Sequence, residues 1–293
     1  MGAMVAKQRL DIRLVELALC TSRQQAQRLI RAGEVRVNQQ VIDKPGTEID
    51  LMAAIQLKQR SPFVSRGGEK LAKALEVFAI DVKGRVCLDG GISTGGFTDC
   101  LLQAGAQRVY GIDVGYGQVD WRLRNDPQVV LRERTNLRYL TPSDLYEPEQ
   151  PPPDLGVVDV SFISLVKILP ALWQLLIPPR EVVLLVKPQF EVGRQRVGKN
   201  GVVRGAGEHA RAIAQVVTAA QGFNWYYQGL TWSPLVGPAG NLEYLLWLRA
   251  DLATPFPNLE LIQRVTQAAQ TLVKDHPASI PPQAPSHGSQ PVE

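Results

Sequence analysis

The sequence predicts an α/β protein: a mostly parallel sheet with an antiparallel edge strand, preceded by a small, basic α+β unit. Three observations predict it. From about residue 66 to 250, short apolar runs alternate with helical patterns, as strands and crossover helices do in a parallel sheet. Two of the later apolar runs have no helix between them and read as a hairpin at the sheet edge. Residues 1–60 carry ten Lys or Arg against six Asp or Glu, whereas the rest of the 293-residue chain carries 22 of each sign. A net +4 confined to one short segment suggests an appended module for a polyanion, although solvated surface arginines would give the same count. The resulting division is 1–60 for the basic unit, 61–66 for a linker, 67–275 for the sheet domain and 276–293 for a Pro-rich tail.

In the basic unit, Leu10, Leu14 and Leu17 recur at helical spacing, and Ser22 followed by Gln25 reads as a capping box that opens a second helix. On that helix Ala26, Leu29 and Ile30 share one face, and Gln24, Gln27, Arg28 and Arg31 share the other. Gly33 is placed to end it. Val35, Val37, Val41 and Ile42 then alternate with polar residues around a turn at Asn38-Gln39. Arg9-Leu10-Asp11 and the run from Thr21 to Asn38 resemble the S4-type RNA-binding domain of a ribosomal protein and of pseudouridine synthases. The resemblance implies RNA binding through the second helix and its flanks, with Arg9, Arg13, Arg23, Arg28, Arg31 and Arg36 as candidates. Arginine suits that role because its planar fork pairs bidentately with phosphate.

Ser61-Pro62 breaks local structure ahead of Gly67-Gly68, hence the linker. The strands expected next are Val86–Asp89, Val109–Asp113, Val129–Leu131, Leu155–Val160 and Val182–Lys187, with Trp225–Trp232 and Glu243–Leu248 as the hairpin. An amphipathic helix with Leu261, Ile262, Val265, Ala268, Ala269 and Leu272 follows. The tail from Pro277 to Pro291 is expected to be disordered.

Several function classes are excluded early. Three scattered cysteines without CxxC spacing argue against a disulfide framework and against a zinc site, so no metal is expected and a reducing, cytoplasmic location is. No signal-peptide pattern or apolar run of about 18 residues is present, and Ala6 lacks the hydroxyl that N-myristoylation wants.

Asp89 runs into Gly90-Gly91-Ile92-Ser93-Thr94-Gly95-Gly96-Phe97, a glycine-rich turn between strand and helix that lets a ligand approach backbone. The next strand ends at Asp113, close to the ~20-residue offset at which a carboxylate meets ribose hydroxyls. A dinucleotide such as NAD would fit that much; no GK[ST] follows, which removes a P-loop. Asp89 and Asp113 together suit a ligand without phosphates and with a cationic centre, S-adenosylmethionine. Asp159 and Lys187 close apolar strand runs at the carboxyl edge, where open α/β sheets bind ligands. With Lys70 and Glu243 they make two ammonium and two carboxylate groups, although charged residues also end strands for structural reasons. Between Gly193 and Gly207, Arg194, Arg196, Lys199 and Arg204 suggest a lid, an RNA clamp or a solvated loop. The three histidines have no ligand spacing.

Ser65–Lys70, Gly91–Phe97, Asp159–Leu165, Lys187–Glu191 and Gly237–Glu243 closely resemble the TlyA family of ribosomal RNA 2′-O-methyltransferases, within the FtsJ-like group. The likeness runs over nearly the whole chain to about residue 250. It implies a Rossmann-like S-adenosylmethionine-dependent methyltransferase sheet and a Lys-Asp-Lys-Glu tetrad at Lys70, Asp159, Lys187 and Glu243. It also implies cofactor contacts at Asp89, Gly90, Gly91, Ser93, Thr94, Gly95, Phe97 and Asp113. Ile92 stands where Ala is more usual, and its bulk could crowd the ligand. Arg66, Arg194 and Arg204 join the RNA-binding candidates. The implied substrate is ribosomal RNA or a ribosomal subunit, methylated at a cytidine ribose. A 2′-hydroxyl is a poor nucleophile at neutral pH and must be positioned and relieved of its proton. Lys187 would orient or deprotonate it, while Asp159 and Glu243 hold the ammonium groups. Three alternatives remain at this point: a non-catalytic RNA-binding assembly factor, a membrane-active haemolysin (a name the family also carries) and an NAD-dependent enzyme.

Overall fold

A computed structural model describes residues 6–57 and 61–275, which fall into two units, Met1–Arg60 and Ser61–Glu293. The Pro-rich tail, with its expected disorder, lies outside the described residues.

The first unit holds β1 (Lys7–Arg9), α1 (Leu10–Glu16), α2 (Arg23–Arg31), β2 (Val35–Val37), β3 (Gln40–Val41), β4 (Glu48–Asp50) and β5 (Ile55–Leu57). Strand β1 pairs with β4, and β3-β2-β5 form a second small sheet. Ser22 caps α2 by accepting the Gln25 N–H at 3.2 Å. The reciprocal bond goes one residue further out than expected, from the Thr21 N–H to Gln25 Oε1 at 2.9 Å. Asn38 and Gln39 both have positive φ, 49° and 68°, as a two-residue hairpin turn between right-twisted strands requires. Leu10, Leu14, Ala26, Ile30, Val35, Val37 and Ile49 form the core. Leu17 is exposed, because α1 ends at Glu16 and the chain turns at Ala18 with φ 55°.

The second unit is a seven-stranded sheet with helices on both faces. Its strands are β6 (Val86–Gly90), β7 (Arg108–Ile112), β8 (Val129–Arg132), β9 (Leu155–Val158), β10 (Glu181–Val186), β11 (Tyr226–Trp232) and β12 (Tyr244–Arg249). They lie in the order β11-β12-β10-β9-β6-β7-β8, all neighbours parallel except at β12, which is antiparallel to both β10 and β11. The reversed strand thus sits one place in from the edge. Strand β10 shows why a nearly continuous apolar run is needed. Val182, Leu184 and Val186 enter the core with α7 (Leu169–Leu175) and α9 (Ala206–Gln221), while Val183 and Leu185 enter the opposite core with α3 (Gly67–Phe78) and α4 (Gly96–Gln103).

Two expectations need correction here. Residues 61–66 are not a bare linker. Phe63 packs on the core of the second unit, so close to Gly68 that a Cβ there would lie 2.3 Å from its ring, and the Val64 N–H donates to Asp99 at 2.7 Å. In α10 (Leu259–Asp275) the buried stripe is Ile262, Thr266 and Ala269, with Val265 half-buried; Leu261 and Ala268 face solvent. Thr266 is tolerated inside because its hydroxyl donates to the Ala206 and Gln263 carbonyls. The side chain of Leu272 lies outside the described residues.

Candidate active site

The chain leaves β6, builds β7 and β8 on one side, then returns to place β9 on the other, so a crevice opens where the strand order reverses. Gly91 occupies that point with φ 89°, and a Cβ there would lie 2.5 Å from the Asp159 carbonyl oxygen. A side chain is excluded by backbone on one face and by conformation on the other. Asp113, just past β7, accepts the Ser93 N–H at 2.8 Å and the Gly115 N–H at 2.7 Å, which fixes its carboxylate at the rim. The cleft measures about 390 Å³, within the range of small-molecule sites, and Gly91, Ser93, Asp113, Asn136, Asp159 and Ile163 are among its walls. Ser93 and Phe162 on its walls, and Arg134 beside them, are non-glycine residues in the left-handed region. Such conformations persist where the surrounding structure imposes them, which is common at functional sites.

The four charged residues converge beside this cleft. Lys70 Nζ lies 2.7 Å from Glu243 Oε2 and 3.5 Å from Asp159 Oδ2; Lys187 Nζ lies 2.6 Å from Asp159 Oδ1 and donates to Ser161 Oγ at 2.9 Å. Asp159 follows β9 and Lys187 follows β10, adjacent parallel strands, so both side chains leave the same edge. Glu243 precedes β12, the antiparallel neighbour of β10, which brings its entry end to that edge. Lys70 arrives from the first turn of α3. Burial disfavours the charge on Lys70, yet Asp159 and Glu243 outweigh it and hold its pKa above the usual lysine value. Lys187 and Glu243 are buried; an ion cluster this poorly solvated persists because each ammonium has a carboxylate.

Comparison with known proteins matches residues 63–250 to the FtsJ-like methyltransferase model. The chain belongs to the FtsJ-like methyltransferase family. An S4 domain is matched over residues 8–55. The 16S/23S rRNA (cytidine-2′-O)-methyltransferase TlyA of Mycobacterium tuberculosis is 50% identical over 250 residues, covering 85% of this chain and 92% of its own. Hemolysin A of Brachyspira hyodysenteriae is 40% identical over 224 residues, 76% of this chain and 92% of its own. The solved structure of a Streptococcus thermophilus protein named as a hemolysin superposes with a TM-score of 0.73 at 40% identity, covering 94% of this chain and 99% of that one.

Within this FtsJ-like frame the proposed cofactor residues divide. Gly91, Ser93 and Asp113 line the cleft; Asp89, Gly90, Thr94, Gly95 and Phe97 do not. Asp89 is fully buried and accepts the Thr98 hydroxyl at 2.7 Å, with burial pushing its carboxyl up to about 7. Gly90 and Gly95 make room for protein instead of ligand, since a Cβ would lie 2.7 Å from Leu137 and 2.3 Å from Leu123. Thr94 is exposed and its carbonyl accepts the Asp120 N–H. Phe97 sits in the core with Cys100 and Leu101, because the first turn of α4 points it inward. Ile92 packs under the loop against Val119 and Leu123 and does not crowd the cleft.

The RNA-binding candidates divide as well. Arg9 and Arg23 both hold the buried carboxylate of Asp11, at 3.0 and 2.9 Å, with Gln27 as a third donor. Arg13 donates to the Leu51 carbonyl and pairs with Glu16. Arg28, Arg31 and Arg36 are exposed, and among the described residues none has a carboxylate partner. The first two border a groove with Ser22, Gln24 and Gln27. Arg66, Arg194 and Arg204 are exposed on the second unit.

Sequence reasoning missed the supports. Glu191 accepts the Ser164 hydroxyl at 2.6 Å and the Leu165 N–H at 2.8 Å, bracing the loop after Asp159 against α8 (Pro188–Glu191). Asn241 donates to the Gly201 carbonyl and accepts the Val203 N–H, so the end of the basic 193–207 stretch is pinned to the Glu243 loop. His209 lies 3.0 Å from the Val203 carbonyl and 2.7 Å from the Tyr244 hydroxyl. A carbonyl can only accept, so Nε2 carries the proton, and burial keeps the ring neutral with Nδ1 accepting from Tyr244. None of these pairs has a local spacing signal; all but His209 with Val203 join residues more than twenty apart in sequence.

Proposed function

We propose that the chain transfers the methyl group of S-adenosylmethionine to a ribose 2′-hydroxyl of ribosomal RNA, at a cytidine, in the cytoplasm. The observation that carries this reading is Asp159, which lines the cleft and also pairs with Lys187 and Lys70. One residue therefore belongs to both the cofactor cleft and the polar cluster. The cleft fits the cofactor chemically. Asp113 on the cleft wall would take the ribose hydroxyls, Gly91 would permit backbone contact, and Val114, Leu137, Ile163 and Ile168 would offer apolar walls to a purine. Bound there, S-adenosylmethionine supplies a methyl group activated by its sulfonium. Lys187 meets the 2′-hydroxyl and orients it or takes its proton, and Asp159 fixes the position of that ammonium. Lys70, itself paired with Glu243, extends the network and holds Asp159 from its other oxygen. The ribosomal RNA and cytidine parts of the reading rest on the name of the relative that is 50% identical.

The test is transfer of labelled methyl from S-adenosylmethionine to purified ribosomal subunits and to naked ribosomal RNA, with Lys187→Ala beside the wild type. Label at a ribose, located by alkali resistance of the adjacent phosphodiester and lost in the variant, is the expected outcome. Cofactor binding without transfer to any of these RNAs would reject the substrate. No cofactor binding would favour an RNA-binding factor without catalysis. The hemolysin name of some relatives gains no support here: among the described residues no helix is long and apolar enough to cross a membrane. Dye leakage from liposomes caused by the pure protein would reverse that.

A further inference from the structure

One border of the cleft carries a surface that neither the charged cluster nor the basic unit uses. The stretch from Arg134 to Tyr139 lines the cleft with its middle, Thr135, Asn136 and Leu137. At its two ends a guanidinium lies over an exposed ring. Arg134 sits 4.3 Å from the centroid of Tyr116, and Arg138 sits 5.1 Å from that of Tyr139. Tyr116 and Tyr139 are 64% and 69% exposed. Tyr116 lies between Val114 and Gln118, both walls of the same cleft, and the Arg134 N–H donates to the Gly115 carbonyl at 3.0 Å. The two segments are therefore stitched together along the rim.

Charge accounting separates these arginines from their neighbours. Arg122 pairs with Asp120 at 3.1 Å, Arg124 with Glu133 at 2.6 Å, and Arg132 donates to the carbonyls of Asp144 and Leu145. Among the described residues neither Arg134 nor Arg138 has a carboxylate within 4 Å, and Glu133, which Arg134 influences at longer range, is paired directly with Arg124. The two cations left over are those laid on exposed rings. A stacked guanidinium keeps its N–H edge for phosphate, and an open ring face accepts a base of any identity. Duplex RNA hides its base faces, whereas unpaired nucleotides present both features at once.

We infer that Tyr116, Arg134, Arg138 and Tyr139 form a stacking platform for unpaired RNA nucleotides that flank the methylated one. This rests on the RNA reading above and places a contact on the cleft rim, at residues other than the arginines expected to bind RNA. The test is fluorescence anisotropy of the full chain with a labelled single-stranded oligoribonucleotide and with the same strand in a duplex. Tyr116→Ala with Tyr139→Ala is expected to weaken single-strand binding about tenfold or more and duplex binding far less. Tyr116→Phe with Tyr139→Phe keeps the rings and is expected to bind as the wild type does. Arg134→Ala with Arg138→Ala should lower the slope of log affinity against log salt by roughly 1.4, the value for two phosphates on a single strand. S-adenosylmethionine affinity should be unchanged in the tyrosine variants, because neither ring lines the cleft. Wild-type affinity in the Ala pair, or an equal loss in the Phe pair, would overturn the platform alone. A wild type that binds neither RNA would overturn the RNA reading and the platform with it.

Discussion

The same strands carry a charged cluster at each end, and only one of the two borders the cleft. At the carboxyl edge are Asp159 after β9, Lys187 after β10 and Glu243 beside β12. At the amino edge are Arg85 before β6, Asp154 before β9 and Glu181 opening β10. Arg85 holds Asp154 at 2.9 Å and also Glu181, whose other oxygen accepts the Trp247 indole N–H at 2.7 Å. Burial does not separate the two clusters, since Glu181 and Glu243 are 4% and 3% exposed. The cation type and the surroundings do. Arginine is permanently charged and clamps two carboxylates with a rigid fork; lysine is a compact charge on a flexible stem that can give up a proton when desolvated. None of the amino-edge residues lines the cleft, whereas Asp159 does, next to left-handed Phe162 and the Gly91 turn.

The largest expected effect breaks the carboxyl-edge cluster without removing its charge. Lys187→Arg keeps a cation near Asp159 but cannot act as a base, so turnover should fall about 10²- to 10⁴-fold if Lys187 takes the proton. Near-wild-type turnover in that variant, read from labelled methyl transfer under saturating cofactor, would leave Lys187 a positioning role only. The matching change at the other edge, Arg85→Ala, strands Glu181 and Asp154 and should lower unfolding free energy by about 3 kcal/mol in urea titrations. Turnover of the folded fraction should hold, because that end has no part in the chemistry. Gly91→Ala comes next. Its Cβ would press on the Asp159 carbonyl from a disfavoured φ, so S-adenosylmethionine affinity should drop by at least about tenfold, measured by titration calorimetry. Unchanged affinity would mean that the cofactor does not lie over this turn.

What could be read from sequence follows the same division. Asp159 and Lys187 stood out because each closes an apolar run at the edge where ligands bind, and the mostly parallel character of the sheet followed from strand and helix alternation. Asp154 and Glu181 close the opposite ends of the same runs and drew no attention, correctly, because chain direction alone distinguishes the edges. Asp89 and Phe97 lie beneath the glycine-rich turn and do not line the cleft: residues that hold such a loop look, in sequence, like residues that face a ligand, and only the path of the backbone separates them. Glu191, Asn241 and His209 were illegible for a different reason. Each partner lies on another element, so the pairing exists only after the fold does.

Asp89 lies between the two edges and gives the smallest effect. It is fully buried with the Thr98 hydroxyl on Oδ2, while Oδ1 has no hydrogen-bond partner. Burial, reinforced by Asp159 and Asp113, raises its carboxyl to about 7. An acid whose folded pKa lies above its unfolded value contributes stability while it is protonated and loses that contribution as pH rises from about 4 through 7. Asp89→Asn cannot ionise, so the difference in unfolding temperature between wild type and variant should grow in the variant's favour from about pH 5 to pH 8 by a few degrees. The gain is limited because the new amide places a buried donor where Oδ1 already lacks a partner. His209, whose pKa burial lowers, contributes with the opposite sign, but it is present in both proteins and cancels in the difference. Thermal unfolding of the cofactor-free pair across that range decides it. A difference independent of pH would mean that Asp89 stays ionised in its buried place, with a cationic or donor partner reaching Oδ1.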